Sequence, residues 1–172
     1  WLSTYAHSDQ SSPIKRGVAI RERLLCHELP DPPAEAGMAP EVDFSSSAQQ
    51  RFEQHTSDPA CAGCHQYIDG LGLPLETYDG IGVYRDEENG HWIDPRGEVI
   101  DLEEYGSGSV DPFSSLTELA ELLATSDRAG YCFVQQMYRF SAGGLTNEAQ
   151  ELTIPRLFEI FKSNDGLFKD LL

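Results

Sequence analysis

The stretch SDPACAGCHQYIDG, residues 57–70, places two cysteines and a histidine within five positions, as Cys61, Cys64 and His65. The whole chain of 172 residues has four cysteines, so half of them lie in this cluster. A C-x-x-C-H spacing is typical of covalent haem attachment, because each sulfur can bond one vinyl group while the histidine reaches the iron. We therefore predict one haem c, held by Cys61, Cys64 and His65.

Two other interpretations of the cluster stay open, half of a zinc site and a thioredoxin-like redox pair. A structural zinc site would need a second close pair of cysteines or histidines, whereas Cys26 and Cys132 are single and far apart. A redox pair should begin a helix after a buried apolar strand, whereas the polar EQHTSDPA precedes this cluster. The sequence favours haem over both.

Cys26 and Cys132 form an even pair once the two haem thioethers are counted. Haem c attachment usually takes place in an oxidising compartment, where disulfides persist. We therefore predict a disulfide between them, with two buried free thiols as the alternative.

Acidic residues outnumber basic ones by 29 to 12, which gives a formal net charge of −17. This charge repels nucleic-acid phosphates and anionic lipid, so we expect no nucleic-acid ligand. It favours either a solvated acidic surface without a specific partner or docking to a basic redox partner. No run of about 18 apolar residues is present that could span a membrane. The chain begins at Trp1 without a basic and then apolar leader, and we expect a mature or excised piece of a longer protein.

Apolar spacing predicts short helices at 18–30 and 48–56 and a further helix carrying the cysteine cluster. Four prolines at 30–40 predict an extended strap between the first two of these helices. A hairpin that turns at Asn89-Gly90 is predicted from the stretch GVYRDEENGHWIDPRGEVID, residues 82–101. From Ser114 onward, capping residues and apolar stripes predict three helices, of which the second ends at Gly143 and the third opens near Pro155.

These patterns predict a mainly α fold, a cytochrome c-like helical haem domain with a small β-hairpin and a C-terminal helical bundle. We expect residues 1–100 to form the haem domain with its proline-rich strap and hairpin. Residues 101–172 should form a helical companion lobe, packed on the first and linked to it by the disulfide.

The chain resembles the planctomycete-type secreted cytochrome c domain followed by its companion surface domain, as found in large multidomain proteins of planctomycetes and myxobacteria. The resemblance rests on SSPIKRGVAIRERLLC, the proline-rich strap, RFEQHTSDPACAGCHQYIDGLGLPLETYDGIGVYR, ENGHWID and CFVQQMYRFSAGG. The family usually has Asp-Pro-hydrophobic-Gly after the haem histidine, where this chain has Asp69-Gly70-Leu71-Gly72. The resemblance implies haem c, secretion and other domains in a larger parent protein.

The second axial position of the iron separates the function classes, because electron transfer needs both positions filled and peroxide chemistry needs one open. We expect His55 there, since the six residues to Cys61 are long enough to pass the haem edge, and it matches the family's histidine before the cluster. His7 is the alternative and Met38 the next. Arg16 or Lys15 should pair with a haem propionate. The weaker candidates for the iron are His27, His91 and Met137.

The leading interpretation is a secreted c-type cytochrome module, periplasmic or extracellular, that transfers single electrons to or from a partner domain or protein. One alternative is a haem enzyme with an open distal site, in which His55 or His7 acts on peroxide. The other is a scaffold module in which the haem is structural.

Overall fold

The computed structural model describes residues 1–30, 41–56, 59–104, 106–144, 146–164 and 166, with only the backbone of 54–56 and 59–61. Met38 therefore lies outside the described residues, as do the side chains of His55 and Cys61. The helices are α1 (Pro13–Ala19), α2 (Ala48–Thr56), α3 (Pro59–His65), α4 (Asp69–Gly72), α5 (Leu116–Thr125), α6 (Asp127–Ala142) and α7 (Ile154–Ser163). Shorter 3₁₀ turns lie at Leu2–Tyr5 and Leu73–Thr77, and π-helical turns at Ile20–Leu24 and Ala149–Thr153.

Two small antiparallel sheets accompany the helices. β1 (Glu87–Glu88) pairs with β2 (His91–Trp92), and β3 (Gly97–Ile100) pairs with β4 (Val110–Phe113). The turn between β1 and β2 has positive φ at Asn89 (53°) and Gly90 (78°), which matches the twist that a two-residue hairpin needs. The predicted mainly helical fold with a small hairpin is confirmed.

Serine side chains cap the starts of α1, α5 and α6. The Oγ of Ser12 accepts from the backbone N–H of Lys15 at the start of α1, and the Oγ of Ser126 accepts from Ala129 in α6. At α5 the Oγ of Ser115 accepts from the N–H of Glu118 (3.2 Å), whose carboxylate accepts in turn from the N–H of Ser114 (2.6 Å). Each cap satisfies backbone donors that the helix itself leaves unpaired.

The core lies where α1, α4 and β3 meet. A Cβ on Gly72 would lie 2.1 Å from the carbonyl oxygen of Pro13, and one on Gly97 would lie 2.1 Å from that of Gly70. Glycine is therefore required for this approach. The buried apolar cluster around it consists of Ile20, Leu25, Leu71, Leu75, Val99, Leu102, Phe113 and Leu119.

This cluster draws residues from both sides of residue 100. The division into a haem domain and a companion lobe stays a prediction. In the described part of the chain, no helix is long and apolar enough to cross a membrane.

Candidate haem attachment site

The C-x-x-C-H motif lies on one short helix, α3, which begins at Pro59 and ends at His65. Residues at i, i+3 and i+4 of a helix share one face, so Cys61, Cys64 and His65 lie on the same side of α3. Cys64 is a free thiol and is half-buried. The described part of the site therefore offers one free thiol, next in sequence to the predicted iron ligand.

His65 is oriented by a carboxylate one turn further along. Its Nδ1 lies 2.9 Å from Oδ1 of Asp69, the first residue of α4, and both side chains are about one-fifth exposed (18% and 20%). A protonated Nδ1 that donates to Asp69 leaves the lone pair of Nε2 for a metal, as is usual for histidine ligands. Sequence reasoning missed this role for Asp69, although its spacing of four from His65 was visible.

The segment after His65 is anchored to the first helices. The N–H of Ile68 donates to the carbonyl of His65 (2.9 Å), and Ile68 itself is buried. Nε of the fully buried Arg21 donates to the carbonyl of Tyr67 (2.7 Å), and its guanidinium lies 5.5 Å from the centre of the Tyr67 ring. A fixed segment at 65–69 in turn fixes the imidazole.

Arg16 lies in the interior of the protein. Its Nη1 donates to the carbonyl oxygens of Leu75 (2.8 Å) and Tyr78 (2.7 Å), and its Nη2 to that of Asp79 (2.6 Å). The side chain is fully buried. These bonds hold the segment that follows the motif, while the pairing of Arg16 with a haem propionate stays a prediction.

Glu76 accompanies Arg16 in this buried network. Its carboxylate lies 3.3 Å from Nη1 of Arg16 and 3.0 Å from Nη2 of Arg85, and it accepts a hydrogen bond from Ser11. Burial raises the pKa of Glu76 to about 7, against the opposing effects of Ser11 and the two arginines. Sequence reasoning missed Glu76, because its burial does not stand out in the sequence pattern.

The distal candidates that can be described are engaged elsewhere. Nδ1 of His7 lies 3.2 Å from Nζ of Lys15, and burial together with this ammonium lowers the pKa of His7. Since a lysine ammonium can only donate, Nδ1 accepts and the proton of neutral His7 lies on Nε2. His7 in this state presents an N–H and no free lone pair, so ligation would require Lys15 to move away.

The weaker candidates lie in three different surroundings. Nε2 of His91 lies 2.8 Å from the carbonyl oxygen of Ser45 and donates to it. His27 is buried, and desolvation with Arg128 and Arg21 nearby lowers its pKa to about 4. Met137 lies half-buried in the middle of α6. Iron binding by His55 or Met38 stays a prediction, because their side chains fall outside the described residues.

An open cavity of about 400 Å³ lies beside His7. Arg51 and Arg85 line it, and so do Phe44 and Ile81, each about four-fifths exposed. Among the residues with described side chains, no group of three or more His, Cys, Asp or Glu converges as a bare metal ion would need. A haem iron takes at most two protein ligands, so that criterion does not apply to it.

The predicted disulfide is confirmed. Cys26 and Cys132 are bonded, with their Cα atoms 5.4 Å apart and a sequence separation of 106. The bond joins the turn after α1 to helix α6 and so links the segments before and after residue 100.

Comparison with family models relates the first half of the chain to a known family. Residues 1–88, slightly more than half of the chain, match the family model described as PSCyt3, protein of unknown function (DUF1588). The matched part contains the C-x-x-C-H motif, Asp69 and the buried pair Arg16 and Glu76. No curated protein and no solved structure matches the chain.

Proposed function

The chain belongs to the PSCyt3 family, and from that premise we propose that it is a c-type cytochrome module with one haem c on Cys61, Cys64 and His65, passing single electrons to or from a partner. The observation that carries the proposal is the bond from Nδ1 of His65 to Asp69, which leaves Nε2 of the motif histidine available to iron. The half-buried free thiol of Cys64 beside it supports covalent attachment.

Each residue of the site would have a separate role in binding the haem. Cys61 and Cys64 would hold the porphyrin by thioether bonds, and His65 would bind its iron. When bound, the haem supplies a one-electron couple. Asp69 keeps the proton on Nδ1 and fixes the plane of the ring, while Arg21, through Tyr67, holds the backbone on which that ring depends. These contacts would keep the imidazole in place during a one-electron change at a bound haem.

A second candidate is a haem enzyme with an open distal position. The state of His7 favours it, since Lys15 at Nδ1 places the His7 proton on Nε2. A histidine that presents N–H can act as an acid toward a bound peroxide, whereas a distal ligand needs a lone pair. The two functions differ in whether a side chain occupies the sixth position.

The partner and the compartment follow from charge and cysteine chemistry. The net charge of −17 favours a basic redox partner, either a separate protein or another domain of a larger parent. The disulfide between Cys26 and Cys132 supports an oxidising compartment, periplasmic or extracellular.

The first experiment tests haem attachment. The chain is produced in an oxidising compartment with haem-ligation machinery, and its intact mass and ultraviolet–visible spectrum are measured. We expect the mass of one added haem. Cys64→Ala should leave the haem attached by a single thioether link, and His65→Ala should remove the ligand of its iron. His91→Ala is the matched control, since Nε2 of His91 donates to Ser45. An unmodified mass for the unsubstituted chain would overturn the proposal.

The second experiment separates electron transfer from peroxide chemistry. A low-spin spectrum that resists carbon monoxide and cyanide, with reversible one-electron reduction, supports the electron-transfer module. In that case His55→Ala should turn the spectrum high-spin, and His7→Ala should leave it unchanged. A high-spin ferric spectrum with rapid ligand binding supports the enzyme, and peroxide turnover should then depend on His7.

A further inference from the structure

The disulfide between Cys26 and Cys132 has two sulfurs in unequal surroundings. Cys132 lies on α6 and is fully buried, whereas Cys26 is half-buried in the turn after α1. Cys26 also lines an open cavity of about 430 Å³, together with Arg128 and Tyr131. A reagent that enters the cavity therefore meets the Cys26 side of the bond first.

The entrance carries a fixed positive charge. The guanidinium of Arg128 donates from Nε to the carbonyl of Leu25 (2.6 Å) and from Nη2 to that of Cys26 (2.7 Å). Glu28 is the acidic residue in the lining. Because burial and the nearby arginines lower the pKa of His27 to about 4, that side chain adds no charge at neutral pH. Arg128 is thus placed to stabilise an approaching thiolate.

The backbone keeps Cys26 at this entrance. Its φ of 49° lies in the left-handed region, which is unfavourable for a residue with a Cβ. The two bonds from Arg128 to the carbonyls of Leu25 and Cys26 hold that turn independently of the sulfur atoms. Nε2 of Gln136 also contacts Sγ of Cys26 at 3.6 Å. The Cys26 side chain therefore stays at the cavity when the disulfide opens.

We propose that Cys26 is a site of reversible thiol–disulfide exchange with small thiols. The incoming thiolate attacks Sγ of Cys26, the bond between the two cysteine sulfurs breaks, and Sγ of Cys132 leaves as a thiolate that takes a proton from solvent. One S–S bond replaces another, so the step needs no oxidant or reductant besides the thiol. The retained Cys132 can attack the mixed disulfide and restore the original bond.

The test uses the full chain with its free thiols alkylated first and 2-mercaptoethanol as the probe. After acid quenching, peptide mapping should find about tenfold more mixed disulfide at Cys26 than at Cys132, because access decides which sulfur is attacked. A sample denatured in guanidinium chloride provides the reference in which both sulfurs are open. Equal labelling in the native chain, or a preference for Cys132, would overturn the proposal. Since haem plays no part, the result stands apart from the proposed function.

A pair of variants on one helix tests the role of the charge. Arg128→Gln should slow the labelling of Cys26 by about fivefold, while Arg139→Gln, at an exposed position of α6, should leave the rate unchanged. Equal rates in the two variants would overturn the assignment of Arg128. The ratio of labelling on the unsubstituted chain needs no variant and decides the exchange site even if Arg128→Gln fails to fold.

Discussion

Asp69 controls the chemistry of His65 through one hydrogen bond. A carboxylate at Nδ1 makes the imidazole a stronger electron donor at Nε2, and a stronger donor stabilises ferric over ferrous iron. The bond of 2.9 Å is partly shielded, since both side chains are about four-fifths buried. Its effect on an iron at Nε2 should therefore be larger than that of an exposed ion pair.

Asp69→Asn tests this effect. Asparagine can still accept the Nδ1–H bond but carries no charge, so the haem should stay attached while its reduction potential rises. A loss of about 1 kcal/mol of preference for the ferric state corresponds to roughly 40 mV for a one-electron couple. Potentiometric titration measures the shift, with the exposed Glu121→Gln as the control of equal charge change. A potential that stays constant, or falls, would contradict the role given to Asp69.

Glu76 gives the protein a pH-dependent stability. The pKa of Glu76 is about 7 in the folded chain, against a reference value of 4.5 for the unfolded chain. Between pH 4.5 and pH 7 the folded chain therefore keeps a proton on Glu76 that the unfolded chain has released. Stability should therefore be greatest at the acidic end of this window and fall as the pH rises through 7, at most by about 1.4 kcal/mol per pH unit.

Urea unfolding at several pH values between 5 and 8 checks this prediction. Glu76→Gln should flatten the profile, because glutamine cannot release the proton, whereas Glu121→Gln on the exposed face of α5 should keep it. If stability of the unsubstituted chain increases over this range, then Arg16 and Arg85 outweigh the burial of Glu76 and the prediction is wrong.

At the scale of elements, the close contact between α4 and α1 positions the segment that carries Asp69, next to the proposed haem site. Gly72→Ala would place a Cβ 2.1 Å from the carbonyl oxygen of Pro13, and separating the helices should cost about 1–3 kcal/mol or more of unfolding free energy. Gly63→Ala is the matched control, since nothing lies within 4 Å of a Cβ at that position of α3. There alanine should stabilise by about 0.5–1 kcal/mol. Thermal unfolding of the two variants should move in opposite directions.

Elements with strong end signals could be predicted from the sequence. α2 covers 48–56 as expected, α6 ends before Gly143 with a φ of 71°, and α7 has Pro155 in its first turn. The first helix lies earlier in the chain than the predicted range of 18–30. It begins at Pro13 after the Ser12 cap, and its π-helical extension ends at Leu24, where the chain turns toward the disulfide at Cys26.

The second sheet was missed for physical reasons. β4 contains Pro112 and follows a glycine-rich loop, and both features weaken a strand pattern. The loop is held instead by the carboxylate of Asp101, which accepts from the N–H groups of Gly106 (2.7 Å) and Gly108 (2.6 Å). At the site, spacing alone leads to the prediction of haem attachment, which stays a prediction. The roles of Asp69 and Glu76 depend on contacts that only the fold creates.

At the scale of the whole molecule, one core serves residues on both sides of position 100. Leu71 and Leu75, which follow the motif, belong to the same buried cluster as Phe113 and Leu119. The Cys26–Cys132 bond crosses the same boundary. Loss of packing in the C-terminal helices should therefore reach the segment around His65 and Asp69, because the two regions share buried surface.

Leu119→Ala tests this coupling by hydrogen exchange. Leu119 is 3% exposed, and its truncation should cost about 2–5 kcal/mol. Because the core is shared, amide protection should fall in α1 and α4 as much as in α5. Leu152→Ala removes the same atoms from a side chain that is 60% exposed and should change protection little anywhere. If Leu119→Ala weakened α5 and α6 while α1 and α4 kept their protection, residues 1–100 and 101–172 would be separate folding units, and the disulfide would be the main link between them.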